Sequence, residues 1–246
     1  MNFNEKGHEL FISQIQDQIR SCQKRYQMVQ TSFLTPVQQE IVQKLAGKKI
    51  MYSLYGGYEN AQRKVACFSS YETDFEYGIT ILVSKVDLRF RKVSHKDVLG
   101  ALMNLGIERE MLGDLIVEED RIIIFVKEKM AEYIIQNTNR IANCPVSFEI
   151  LDNITITSKL TEEILVNASS LRLDAIISSL AHVSRSEATM MLRRGFVKLN
   201  DVVLEENRQL CNNDFVSIRR CGRFQFKEVK TVTKKGRLLL RFDKFI

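Results

Sequence analysis

Between Ile79 and Leu151, apolar segments rich in β-branched residues (ITILVSKV, DLIVEE, RIIIFV and VSFEIL) are interleaved with two helical stretches, SHKDVLGALMNLG and KEKMAEYIIQNT. The order is strand, helix, strand, strand, helix, strand. Few folds accommodate it. It matches a ferredoxin-like βαββαβ sandwich, predicted over residues 79–152. The acidic tip Glu118, Glu119 and Asp120 between the middle strands suits a solvated hairpin turn. RNA-recognition motifs share this topology with many proteins that never touch RNA. The aromatic RNP1 signature is absent, so the segment is not read as a base-stacking platform.

The N-terminal region, residues 1–78, mixes helices and strands. Phe11, Ile12, Ile15, Ile19, Cys22 and Tyr26 recur at steps of three or four, the stripe of an amphipathic helix. Thr35 followed by Pro36 predicts the start of a second helix that ends at Gly47. IMYSLYGGY and KVACFSS read as strands, the first broken by Gly56 and Gly57. Residues 153–168 are mixed and polar and read as a linker with a strand in it. A last domain is expected over residues 169–246, making the whole a multi-domain α+β chain.

Charge is distributed unevenly. Residues 169–246 hold 16 Lys and Arg against 8 Asp and Glu, whereas residues 1–168 hold 20 against 22. All the net positive charge therefore lies in the last third, as expected of a polyanion-binding module on a near-neutral body. A basic segment also serves solubility or binds anionic lipid. The longest apolar run, Ile122 to Val126, is far short of the roughly 20 residues of a membrane span. Charges at Glu5, Lys6, Glu9, Asp17 and Arg20 interrupt any signal-peptide core. A cytoplasmic protein that engages no membrane is expected. Cys22, Cys67, Cys144, Cys211 and Cys221 form no CxxC pair, and His8, His95 and His182 lie far apart. That spacing predicts reduced thiols and no metal site.

The stretch LRLDAIISSLAHVSRSEATMMLRRGFVKLNDVVLEENRQLCNNDFV at 171–216 is the most informative about function. It reads as two short amphipathic helices, a basic helix end, a strand and a turn. The first helix, starting near Ser169 or Ser170, should bury Leu173, Ile176, Ile177 and Leu180. Ser184 with Glu187 three residues on forms a capping box for the second, which should bury Ala188, Met191 and Leu192 and stop at Gly195. Arg185 and Ser186 sit at a helix N-terminus, where backbone N–H groups favour phosphate. Arg193 and Arg194 suit both a helix C-terminus and a phosphate. Arg172 is placed to flank a phosphate groove with Arg185, or to pair with Asp174 or Glu187. Lys198 and Asn200 follow, and Asn200-Asp201 is first of all a turn signal. Arg219, Arg220 and Arg223, then Lys234 and Lys235, extend the basic set. Phe224 and Phe226 alternate as on the buried face of a strand.

The LRLD, SRSEA and RRGFVKLN pieces, in that order and spacing, resemble the S-four RNA-binding domain, of α-L type. FLTPVQQEI at 33–41, YGGYENAQRK at 55–64, HKDVLGALMNLGIEREMLGDLIV at 95–117, SIRRCGRF at 217–224 and TKKGR at 233–237 together resemble the bacterial YlmH family across nearly the whole chain. The resemblance implies an N-terminal region, a central ferredoxin-like domain and a C-terminal S-four domain. It implies a monomeric, ribosome-associated quality-control protein. Its partners would be large-subunit rRNA, tRNA or peptidyl-tRNA, the large ribosomal subunit and the alanine-tailing factor. RNA binding is carried over to Arg172 and Arg185. Arg220 stands where the family pattern has a glycine, and Gln62 where a glutamate is common.

Catalytic readings find less support. Pseudouridine synthases use an aspartate in an RLD-containing motif, but Asp174 lies inside the S-four motif itself. Gly56-Gly57 is no cofactor loop, and the HIGH and KMSKS signatures of the tyrosyl-tRNA synthetases are missing. The chain is therefore expected to be non-enzymatic, without a cofactor. An RNA-binding regulator, or a factor in ribosome assembly, is the alternative.

Overall fold

The computed structural model describes residues 7–86, 93–156 and 161–245. The chain divides into two compact units, residues 1–158 and 159–246.

The first unit runs α1 (Glu9–Arg25), β1 (Val29–Leu34), α2 (Pro36–Ala46), β2 (Met51–Tyr55), β3 (Lys64–Ser69), β4 (Ile79–Lys85), α3 (His95–Asn104), β5 (Leu112–Val117), β6 (Arg121–Lys127), α4 (Glu128–Asn137), β7 (Arg140–Ile141), β8 (Cys144–Pro145) and β9 (Glu149–Leu151). Helix α1 buries Ile15, Ile19 and Cys22, whereas Tyr26 leaves the expected stripe: it caps the helix in the left-handed conformation and is exposed. Thr35 caps α2 as expected. Its hydroxyl accepts from Gln38 N–H and the Gln38 side chain accepts from Thr35 N–H, with Pro36 at the first helical position.

Two sheets organise this unit, a three-stranded one in the order β1-β3-β2 and a four-stranded one in the order β5-β6-β4-β9. Every pairing in both is antiparallel. On one face of the four-stranded sheet, Leu82, Ile122, Ile124 and Val126 pack with Val98 and Leu102 of α3 and Ala131 and Ile134 of α4. On the other face, Ile81, Val83, Ile123 and Phe125 are also buried. The segment between β2 and β3 covers part of that second face. Tyr58 stacks on Phe125 at 4.8 Å, and Gly57 approaches so closely that a Cβ would meet the Phe125 ring at 2.4 Å. The buried Asp114 on β5 fastens this segment by accepting from Tyr58 Oη at 2.7 Å, Gln62 N at 2.7 Å and Arg63 N at 3.1 Å. The regions read in sequence as 1–78 and 79–152 are thus joined within one unit.

The second unit contains β10 (Thr161–Ala168), α5 (Leu173–Leu180), α6 (Arg185–Arg193), β11 (Val197–Leu199), β12 (Val202–Val203), β13 (Phe215–Ile218), β14 (Gly222–Val232) and β15 (Leu238–Phe245). Its sheet has the order β10-β15-β14-β13-β11-β12. Leu173, Ile176, Ile177, Leu180, Ala188 and Leu192 of the helices pack with Val197, Leu199, Val216, Phe224, Phe226 and Phe242 of the sheet. Met191, expected to be buried, is only half-buried and packs against the edge of this core.

Residues 161–168, read as part of the linker, are an edge strand of this sheet, paired along their length from Thr161↔Phe245 to Ala168↔Leu238. Ile164, Val166 and Ala168 turn toward the core while Glu163, Leu165 and Asn167 face outward. The rest of the proposed linker includes residues 157–160, which lie outside the described residues. Helix α5 begins at Leu173, not at Ser169 or Ser170. The chain just before it is held by a short antiparallel pairing, with Leu173 N–H donating to Arg208 O at 2.8 Å and Leu210 N–H to Leu171 O at 2.9 Å.

Candidate nucleic-acid interface

The site grows from one buried carboxylate. Asp174, in the first turn of α5, is 6% exposed. It accepts from the backbone N–H of Ala175 at 2.9 Å, and its own N–H donates to Asn207 Oδ1 at 3.3 Å. Arg185, the first residue of α6, approaches side-on, with Nε 3.0 Å from Oδ2 and Nη2 3.3 Å from Oδ1. Arg172, the N-cap of α5, places Nε 3.4 Å from Oδ1. Burial raises the Asp174 pKa, but hydrogen bonding with Asn207 and Arg185, the Arg185 charge and the Ala175 N–H together hold it below the ordinary value. About half of each arginine side chain stays in solvent, 59% for Arg172 and 50% for Arg185. Arg172 thus forms the ion pair with Asp174 that was one of its two sequence readings, while more than half of its side chain remains exposed.

Around this centre the other predicted residues separate into groups. Ser184 caps α6 by accepting from Glu187 N–H at 3.2 Å, but only this half of the capping box forms; the Glu187 side chain stays in solvent. Ser186 is exposed on the same first turn. At the far end of α6, Arg193 and Arg194 are exposed before Gly195, whose φ of 67° ends the helix. Arg219 joins them: its N–H donates to Phe196 O at 2.9 Å and its guanidinium lies 4.9 Å from the Phe196 ring centre. Arg220 follows in the left-handed region at φ 66°, a conformation that favours glycine. Lys234 and Lys235 are exposed in the turn between β14 and β15. Neighbouring Arg237 reaches Asn167 O at 3.4 Å, so this turn lies by the end of β10 that leads toward Arg172.

Three predicted residues stand apart. Asn200 lies buried in its turn. It is 5% exposed at φ 52°, its Nδ2 donates to Asp214 Oδ1 at 2.8 Å, and its Oδ1 accepts from Phe215 N–H at 2.9 Å. Its side chain is therefore buried and engaged in holding the turn, as its first reading expected. Arg223 is held by Asp201 at 3.0 Å and by the faces of Phe215 and Phe245. Lys198 is exposed, but it alternates with the core residues Val197 and Leu199 and so points away from the helices.

Sequence reasoning gave no warning of a second charged surface. On the outer side of β10, β15 and β14, Lys227 pairs with Asp243 at 3.2 Å and Lys230 with Glu163 at 3.5 Å. Arg241 pairs with Glu163 at 3.3 Å and with Glu228 at 3.2 Å. No single segment carries this ladder; only knowing that β10 belongs to the sheet reveals it. The Asp174 centre was more accessible, since RLD and SRSE already held three of its members.

These features define an α+β chain with a compact basic C-terminal unit, whose exposed cations gather about two short helices. Residues 7–68 match the model described as "YlmH, N-terminal" and residues 72–155 the model described as "Putative RNA-binding domain in YlmH". The chain is 31% identical to the "Ribosome-associated protein quality control protein P2" of Bacillus subtilis (strain 168), over 97% of this chain and 96% of that protein. It is also similar in fold to the solved "Cell division protein ylmH from Streptococcus pneumoniae", with a TM-score of 0.52 and 22% identity, over 59% of this chain and 92% of that one. The chain belongs to the YlmH family.

Proposed function

We propose that this chain is a non-catalytic, cytoplasmic RNA-binding protein that holds rRNA and tRNA on the large ribosomal subunit during rescue or quality control of stalled ribosomes. The observation that carries this reading is the pair of half-exposed arginines, Arg172 and Arg185, mounted on one buried carboxylate. Arg193, Arg194, Arg219 and Arg220 supply further exposed guanidinium groups in the same unit. Guanidinium forks suit phosphate oxygens, and several such contacts make binding steeply dependent on salt. The quality-control role of the Bacillus subtilis relative, named in its description, supports the ribosomal setting.

In this reading residues 161–245 are an S-four domain with β10 added, and the four-stranded sheet of the first unit is ferredoxin-like. The antiparallel order β5-β6-β4-β9 supports the latter. Burial of Ile123 and Phe125 argues against base stacking on that sheet, so RNA recognition falls chiefly to the C-terminal unit. Peptidyl-tRNA and the alanine-tailing factor are the partners that fit a protein acting while a stalled nascent chain is extended.

Crosslinking in cells followed by sequencing of the attached RNA tests the proposal. Enrichment of tRNA and of large-subunit rRNA near the tRNA-binding region is expected. Enrichment of selected mRNAs, or of precursor rRNA alone, contradicts it and points to regulation or assembly. An altered nucleotide in the bound RNA that depends on the chain overturns the non-catalytic assignment.

A further inference from the structure

We infer that Asp174 is a positioning residue for RNA phosphate, setting the guanidinium groups of Arg172 and Arg185 as one fixed pair facing a phosphodiester of structured RNA. The inference rests on the RNA-binding reading and assigns a part in it to a residue whose own charge opposes RNA.

Asp174 is itself held before it holds anything else. Its N–H is bonded to Asn207 and its Oδ1 accepts from Ala175 N–H, so the carboxylate has a set position at the start of α5. Arg185 meets both oxygens side-on through Nε and Nη2. A guanidinium carries five N–H donors in a rigid plane. The side-on contact occupies two of them on Arg185, leaving both on Nη1 and one on Nη2. Arg172 contributes only Nε to Asp174, so its four terminal donors are not used by this contact. One carboxylate therefore orients two planar forks that would otherwise repel each other.

Pre-orientation matters because a free arginine loses rotamer freedom when it binds, and restraint before binding removes part of that loss. Charge runs the other way. The two arginines and Asp174 sum to one positive charge, whereas without the carboxylate they would sum to two. If Asp174 served stability alone, removing its charge would leave RNA affinity unchanged or improve it. If it positions the arginines, affinity falls although the chain becomes more positive. The two roles differ in sign.

The test uses the full chain and fluorescein-labelled transfer RNA, with binding followed by anisotropy over a range of salt concentrations. Measurements are made at a temperature where circular dichroism shows each variant folded. Asp174→Asn is expected to bind about tenfold more weakly, the scale of one charge-assisted contact. Arg185→Lys keeps the charge but cannot reproduce the side-on fork, and is expected to weaken binding several-fold. Equal or tighter binding by Asp174→Asn overturns the inference. Should that variant fail to fold, Arg185→Lys decides, and unchanged affinity there overturns it equally. If the unaltered chain does not bind the transfer RNA in a salt-dependent way, the RNA-binding reading itself fails, which is a different result from a variant that matches it.

Discussion

The C-terminal unit carries two cation-rich surfaces that sequence counts cannot tell apart. On the outer side of β10, β15 and β14, Lys227, Lys230 and Arg241 each face a carboxylate across the sheet. Around α5 and α6, a single carboxylate, Asp174, serves two arginines and leaves about half of each in solvent. Arg193 and Arg194, at the other end of α6, have no carboxylate partner among the described residues. The first surface is close to neutral and the second retains its charge. Net charge does not separate the two surfaces; the carboxylate pairing does, and the proposed RNA site lies on the one that keeps its charge.

Removing both arginines of the Asp174 centre should have the largest effect. The double variant Arg172→Ala/Arg185→Ala is expected to bind RNA roughly a hundredfold more weakly, with the slope of log affinity against log salt reduced by about two units. Fluorescence anisotropy titrations at several salt concentrations measure both. Arg193→Ala/Arg194→Ala should follow with a loss of about tenfold, the arginines lying on a helix end without a carboxylate to fix them. An effect greater than that of the first pair would place the centre of the interface at the α6 C-terminus.

At Arg220 backbone strain and the proposed RNA contact oppose each other. The left-handed conformation costs a side-chain-bearing residue about 1 kcal/mol relative to glycine. Arg220→Gly is thus expected to raise the melting temperature slightly while weakening RNA binding a few-fold, seen by calorimetry and by titration of the same sample. Smallest of all should be Lys227→Ala/Lys230→Ala on the paired surface. Exposed ion pairs are worth about 0–1 kcal/mol, and binding is expected to change less than about threefold. The pH response belongs to the arginine side. Asp174 titrates below its ordinary value in the folded chain, so its contribution to stability is complete above about pH 4 and is lost as pH falls through the folded value. An acid titration of the melting temperature should show Asp174→Asn losing less stability than the unaltered chain over that window.

Local signals made much of this legible. Thr35-Pro36 and Gly47 marked the ends of α2 within a residue, because capping and ring geometry act at short range. Leu173, Ile176, Ile177 and Leu180 showed their buried face through spacing alone, and Phe224 and Phe226 are core residues as their alternation suggested. Non-local pairing hid the rest. Strand β10 looked like linker because half its residues are polar, and its partner β15 lies about seventy residues further on. The hairpin of β7 and β8 turns through Ala142 and Asn143 at φ 47° and 65°, and an alanine in the left-handed region is not a turn signal. For the candidate site, RLD and SRSE brought forward the two arginines that the structure joins on Asp174. The burial of Asn200 depended on Asp214, fourteen residues away, and could not be read from its own turn.

The measurement that bears most directly on the two-surface account is crosslinking of the full chain to bound RNA, with the attached peptides located by mass spectrometry. Crosslinks are expected within residues 171–198 and at the 217–220 turn. A concentration of crosslinks on the paired strands, at residues 225–231 and 239–243, or confinement of all crosslinks to the first unit, would contradict it.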